Sequence, residues 1–116
     1  MTRLQIENAE RPLRGLTRLT KEQKILQEEL FCRSMINSCL TYGSIKNFWE
    51  KHPWSWDTKS YADPYIKALG LRRVTELVAE QEADFAKAIV KKNTYTDGEG
   101  MIYHTVIWAN EQEAKA

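Results

Sequence analysis

The clearest pattern in the chain is LRRVTELVAEQEADFAKAIVKK, residues 71–92. On a helix of about 100° per residue, one arc holds its apolar side chains: Leu71, Val74, Leu77, Val78, Phe85, Ala88 and Ile89. Charged side chains such as Arg73, Glu80 and Lys87 fall on the opposite arc. This two-sided pattern is typical of a surface helix that packs one face on a core. We therefore predict an amphipathic helix over residues 71–92.

A second helix is predicted upstream, over residues 21–42. Thr20 and Gln23 match a capping box, in which each side chain bonds the backbone amide of the other residue. Gly43 offers the left-handed conformation that often ends a helix. One neighbouring layer does not cover the wide apolar arc of this helix, so we predict a central helix that also contributes to a homodimer interface. The arc consists of Ile25, Leu26, Leu30, Phe31, Cys32, Met35, Ile36, Cys39 and Leu40.

The stretch between these helices contains two shorter ones with their own start signals. A serine precedes the first, and an aspartate followed by proline precedes the second. A proline stops the first, and a glycine breaks or kinks the second. The predicted helices run from Ile45 to about Lys51, capped by Ser44, and from Tyr65 to Leu69, between Asp63-Pro64 and Gly70. Residues 54–60 are predicted to form a loop.

The C-terminal part of the chain has the pattern of a β-hairpin. β-Branched and aromatic residues flank the Asp97-Gly98 turn, which predicts strands at residues 94–96 and 101–108. An isolated hairpin is marginal in water, so one face is expected to pack on the helices. The alternative is a final helix over residues 101–112.

The predicted fold class is mainly α with a small C-terminal β-hairpin (α+β), and the alternative is an all-α helical bundle. Residues 1–19 contain Pro12 and Gly15 and show no sustained period, which predicts an extended or flexible N-terminal arm. Residues 20–110 are predicted to form a single helical domain with the hairpin, and residues 111–116 a frayed tail.

Composition restricts the compartment and the partners. Hydrophobic residues make up 42% and charged residues 28% of the 116 residues, as in globular proteins. The net charge of +1 gives no global field that attracts nucleic acid or anionic lipid. No apolar stretch has the length of a signal peptide or a membrane span. We expect a cytoplasmic protein with no membrane partner.

The residues that usually carry catalysis do not form a recognisable site. Cys32 and Cys39 lie about 10 Å apart along one helix, too far for a disulfide or a shared zinc ion. We predict buried, reduced thiols. The only histidines are His52 and His104, and no nucleophile elbow or phosphate loop is present. The sequence therefore predicts no catalytic residue, metal or cofactor; an unrecognised hydrolase is the third-ranked alternative.

Four aromatic residues lie within nine positions of one another: Phe48, Trp49, Trp54 and Trp56. Tryptophan is enriched at binding hot spots, so this segment is a candidate partner-binding site. The simpler interpretation is a small core beneath a loop. We expect Trp49 to pack with Phe48 in the core, and at least one of Trp54 and Trp56 to be exposed.

Basic residues suggest a second kind of partner. Arg11, Arg14 and Arg18 give the N-terminal arm a basic character, and Arg72 and Arg73 begin the helix predicted after Gly70. Exposed arginines in these places can contact phosphate. Acidic neighbours reduce the positive charge of the arm. Position 76 holds Glu where a helix-turn-helix buries an apolar residue, which argues against that motif.

By elimination, the sequence favours a small non-catalytic module that binds a protein partner as an adaptor, inhibitor or regulator. Its small size and missing enzyme motifs suggest that a phage or another mobile element encodes it. The alternative function is a nucleic-acid-binding regulator that uses the arginine arm and the Arg72/Arg73 helix start.

Overall fold

The computed structural model describes residues 1–52, 56, 58–96, 98–100 and 102–108. It is mainly helical, which confirms that part of the predicted class. The helices are α1 (Arg3–Arg14), α2 (Lys21–Tyr42), α3 (Ile45–Trp49), α4 (Asp63–Leu69) and α5 (Leu71–Ala88). Within the described ranges, no helix is both long enough and apolar enough to cross a bilayer.

The helix α1 corrects the prediction of an extended arm before Thr20. Thr2 and Gln5 form a capping box: the Thr2 hydroxyl accepts from the Gln5 amide at 3.2 Å, and the Gln5 side chain accepts from the Thr2 amide at 2.9 Å. Pro12 lies inside the last turn. A proline in the last turn removes one backbone hydrogen bond but lets the preceding turns form, so Pro12 is compatible with a helix.

Packing on α2 holds α1 in place. Ile6 and Leu13 are buried on one face of α1 and form a hydrophobic cluster with Leu30 of α2, with Leu19 packed against it. Most helical stability in proteins comes from such an apolar face and not from local propensity. Residues 3–14 are therefore a packed helix, and the cluster they form is separate from the main core.

The helix α2 is central, as predicted, and its bounds agree with the prediction. Its capping box is present, with the Gln23 amide donating to the Thr20 hydroxyl at 3.1 Å. Gly43 does not adopt the predicted left-handed conformation, because its φ of −172° is extended; α3 begins two residues later. The main core joins α2 to α3, α4 and α5 through buried Cys32, Ile36, Cys39, Phe48, Ala62, Val74, Leu77 and Val78.

Polar contacts show that α2 and α5 run in the same direction. Glu29 accepts from Arg73 at 2.6 Å, and eight residues further along both helices Asn37 accepts from Gln81 at 2.7 Å. The two contacts keep the same order along both helices, so the helices are parallel. The segment from Gly43 to Gly70, which contains α3 and α4, makes the return crossing that this arrangement needs.

Gln81 lies at the centre of a polar cluster that binds the first residue of the chain. Its amide donates to the Met1 carbonyl at 2.8 Å, and its carbonyl accepts from the Met1 ammonium at 2.7 Å and from Arg33 at 2.8 Å. The Met1 ammonium also pairs with Asp84. Gln81 is completely buried, so these contacts supply the partners that a buried amide needs.

Two predicted helix ends are corrected. The helix predicted over residues 71–92 ends at Ala88, and the one predicted to about Lys51 ends at Trp49. After Ala88 the backbone forms β1 (Ile89–Thr96), which is antiparallel to β2 (Ile102–Trp108). β-Branched residues favour a strand in this segment.

The side chains of both strands lie outside the part of the chain that the structure describes. The packing of the hairpin on the helices therefore stays a prediction, as does its place in the fold class. Residues 111–116 also lie outside the described residues. The break at Gly70 between α4 and α5 is confirmed, with a φ of 88° that favours glycine.

Candidate interaction surfaces

The aromatic segment divides into a buried part and an exposed part. Phe48 is fully buried in the main core. Trp49 is partly buried, packs against that core and meets the Phe48 ring edge-on, with ring centroids 5.2 Å apart. These two rings hold α3 on the other helices, as predicted, and are not available as exposed anchors for a partner.

Trp56 is the exposed aromatic residue of this segment. Its relative exposure is 103%, so none of the residues that the structure describes covers the indole. Trp54 lies outside the described residues. The expectation that at least one of these two tryptophans is exposed is therefore confirmed through Trp56. Two residues later Thr58 has a φ of 51°, a left-handed conformation that is strained for a β-branched residue.

Contacts between residues before and after Trp56 hold together the two ends of the segment that carries it. The Ala62 amide donates to the Phe48 carbonyl at 3.0 Å. His52 is buried, and its ring packs against the Tyr61 ring at a tilt of 55°, with centroids 4.4 Å apart. These contacts join the residues before Trp56 to those after it. The indole is thus carried on a segment whose two ends are anchored, which limits the entropy lost when a partner binds.

The candidate basic residues do not form one patch of unpaired charges. Arg73 bonds Glu29 and Glu76, and Arg14 bonds Glu10 at 2.8 Å. The Arg73–Glu29 pair joins α5 to α2, whereas the Arg14–Glu10 and Arg73–Glu76 pairs each lie within one helix. The exposed candidates are Arg11, Arg14, Arg18 and Arg72. The Arg72 side chain is 96% exposed and lies 3.5 Å from Glu76.

Both thiols are buried and unbridged, as predicted. Burial raises the pKa of Cys32 to about 12, and burial also raises the pKa of Cys39. A thiol is a nucleophile only as thiolate, so neither group is activated at neutral pH. Across the described ranges, no three His, Cys, Asp or Glu side chains lie close enough together to hold a metal ion.

The outward face of α2 is a second exposed apolar surface. Phe31 is 42% exposed and Tyr42 is 74% exposed, although α1, α3, α4 and α5 all pack on α2. The wide apolar arc that the sequence predicted for α2 included Phe31 but not Tyr42. Tyr42 lies three turns after Phe31 on the same face of the helix, and this spacing could have identified it.

Comparisons with protein-family models, with curated proteins and with solved structures find no significant match to this chain.

Proposed function

We propose that this protein is a non-catalytic module that binds a protein partner, with Trp56 as the principal anchor. The observation that carries the proposal is the complete exposure of the Trp56 indole on a segment with anchored ends. An exposed tryptophan costs solvation free energy in the unbound protein, and burial in a partner recovers it. Adaptor, inhibitor and regulator are all roles that such a contact can serve.

The lack of an activated nucleophile among the described thiols supports a non-catalytic role. Both cysteines face the core, and their raised pKa values keep them protonated at neutral pH. The proposal also includes the α+β architecture suggested by the sequence, in which the hairpin packs on the helices of one cytoplasmic domain. Packing of one hairpin face would give the two strands the stability they lack alone.

Binding to nucleic acid receives less support from the arrangement of arginines. Three of the five candidate residues, Arg14, Arg72 and Arg73, already pair with carboxylates. The N-terminal arginines lie on or beside a packed helix, where Glu10 shares their surface. Phosphate binding needs several unpaired cations acting together, so a protein partner is the better-supported proposal.

Affinity capture with matched variants tests the proposal. Wild-type protein, Trp56→Ala and Tyr42→Ala are each immobilised and exposed to a lysate of the source organism, and the bound proteins are identified by mass spectrometry. Tyr42→Ala is the control because it removes an exposed aromatic ring from a different surface. We expect a protein that the wild type and the control retain and that Trp56→Ala loses.

All three proteins are expected to have the same melting temperature, because neither altered ring is packed in the core. Capture of the same set of proteins by Trp56→Ala and the wild type would contradict the assignment of Trp56. Loss of the captured protein in moderate salt, with release of nucleic acid, would support the alternative instead.

A further inference from the structure

Side chains of α2 and α5 bind both backbone polar groups of Met1. The Met1 ammonium donates to the Gln81 carbonyl oxygen at 2.7 Å and pairs with Asp84. The Met1 carbonyl accepts from the Gln81 amide at 2.8 Å and from the Asn37 amide at 3.3 Å. The nitrogen and the oxygen of one residue are thus recognised together, as in sites that capture an N-terminal amine.

Gln81 uses its full hydrogen-bonding capacity in this site. Its amide N–H groups go to the Met1 carbonyl and, at 2.7 Å, to the Asn37 carbonyl oxygen. Its own carbonyl oxygen accepts from the Met1 ammonium and, at 2.8 Å, from Arg33. Turning the amide over would break all of these bonds, and Gln81 is completely buried. The site therefore presents an acceptor, and never a donor, to the Met1 nitrogen.

We propose that Asn37, Gln81 and Asp84 form a site specific for a free α-amino group on Met1, and that this site helps to hold α1 on the molecule. Acylation of the nitrogen, by an acetyl group or by the peptide bond to a preceding residue, leaves a neutral amide with a single N–H. The ammonium serves both Gln81 and Asp84, whereas a single N–H serves one acceptor. The Asp84 carboxylate also loses its cation, and charge-assisted hydrogen bonds are about twice as strong as neutral ones.

The site reads the charge of the nitrogen and not the size of its substituent. The side chains of Met1 and Asp84 are 33% and 48% exposed, so an acyl group on the nitrogen can extend into solvent. The same exposure lets solvent screen the ion pair, which limits its strength. Acylation is therefore expected to weaken the attachment of the first residue without unfolding the protein. This inference concerns residues far along the chain from Trp56 and does not depend on the proposed function.

The position of Met1 is coupled directly to α1. The next residue, Thr2, is 2% exposed and is the N-cap of the helix. Further along α1, Ile6 and Leu13 pack on Leu30 of α2 in a small cluster. Local opening of a helix depends on the contacts that attach it, so weakening the contacts at one end makes opening more frequent. A modified first residue is therefore expected to release α1 more often and to expose Leu30.

Hydrogen exchange of the α1 amides in two forms of the full chain tests the proposal. Native chemical ligation at Cys32 joins a synthetic segment, residues 1–31, to an expressed segment, residues 32–116. The two forms then differ only in whether Met1 carries a free amine or an acetyl group. We expect acetylation to raise the exchange rate of the α1 amides by about tenfold, while the amides of Val74 and Leu77 in α5 keep their protection.

Equal exchange of α1 in the two forms would overturn the proposal. An equal loss of protection in α1 and α5 would overturn it as well, because the whole fold and not α1 would then have opened.

Substitution of Asp84 shows whether the site reads the charge of the amine. Asp84→Asn removes the carboxylate, so acetylation is expected to change α1 exchange by less than about threefold in this variant. Glu82→Gln is the matched control, because it neutralises an exposed carboxylate on the same helix, and the full effect of acetylation should remain there. If acetylation has as large an effect in Asp84→Asn as in the wild type, Asp84 does not recognise the ammonium and the proposed specificity is wrong.

Discussion

At the scale of single residues, Gln81 connects three distant parts of the chain. Its side chain is completely buried and joins Met1, Arg33 and Asn37. Removing one buried partner leaves the others without hydrogen bonds, which costs more than the bond itself is worth. The connection between the start of the chain, α2 and α5 therefore depends on this one amide.

We predict that Gln81→Ala lowers the free energy of unfolding by about 2 to 3 kcal/mol, because several buried polar groups lose their partner. Urea denaturation followed by circular dichroism measures the change. Glu82→Ala is the control, as its side chain is exposed on the same helix, and it is expected to change stability by less than about 0.5 kcal/mol. Equal effects of the two substitutions would show that the cluster contributes little.

The Cys32 thiol makes stability depend on pH in the alkaline range. Its pKa is about 12 in the folded protein, above the ordinary value of 9.0, because burial disfavours the thiolate. The stability associated with the neutral thiol is complete below pH 9.0 and is lost as the pH rises towards 12, since only the unfolded chain ionises readily.

We predict that the unfolding free energy of the wild type falls more steeply above pH 9.0 than that of Cys32→Ala. The comparison of slopes cancels the pH-independent cost of the cavity that alanine creates, and it also cancels the titration of other groups. Denaturant titrations at several alkaline pH values measure both slopes. Identical slopes would mean that the folded protein does not hold the thiol in its neutral form.

Residue patterns predicted the division of the aromatic segment but not the polar cluster. Trp49 follows Phe48 on a short helix, and Trp56 lies in a loop after a proline, so different environments followed from their positions. Gln81 occupies the middle of the apolar arc of α5, between Leu77 and Phe85. A polar residue in that place indicates a buried amide, but its partners belong to distant parts of the chain and no local pattern identifies them.

At the scale of secondary structure elements, α1 has the most direct test. If residues 1–19 were a mobile arm, no side chain in them would affect stability. We predict that Ile6→Ala lowers the free energy of unfolding by about 3 kcal/mol, because Ile6 is buried against Leu30. Leu16→Ala is the control for a similar loss of apolar volume outside α1, at a site that is 44% exposed.

The control is expected to lose less than about 1 kcal/mol, in proportion to its smaller burial. Thermal unfolding of the three proteins gives the comparison. If Ile6→Ala and the wild type were equally stable, the N-terminal segment would not be packed on α2.

Capping signals predicted some helix starts but not others. The Thr20 box correctly predicted the start of α2, whereas α1 was not predicted although Thr2 and Gln5 form the same motif. The helix predicted from Tyr65 begins at Asp63. The end of α5 could not be located because Ile89 continues the helical arc and equally suits a strand. Only pairing with residues distant in sequence decides between the two.

At the scale of the whole molecule, the parallel arrangement of α2 and α5 did not follow from the sequence. Each helix presents an apolar face, and either direction buries it. The polar pairs between Glu29 and Arg73 and between Asn37 and Gln81 fit only the parallel arrangement. Such pairs are recognisable after the helices are placed, because charged and amide residues at many other positions could have paired as well.

This arrangement places the exposed features on separate parts of the chain. The outward face of α2 carries Phe31 and Tyr42, while Trp56 lies between α3 and α4. The two surfaces can therefore be altered separately by substitution.

A calorimetric titration of the captured partner with wild-type protein and with Trp56→Ala tests directly whether this indole is the principal anchor. We predict that the variant binds at least about thirtyfold more weakly, equivalent to about 2 kcal/mol, while its melting temperature equals that of the wild type. Equal affinity of the two proteins for the partner would contradict the assignment of Trp56 as the principal anchor.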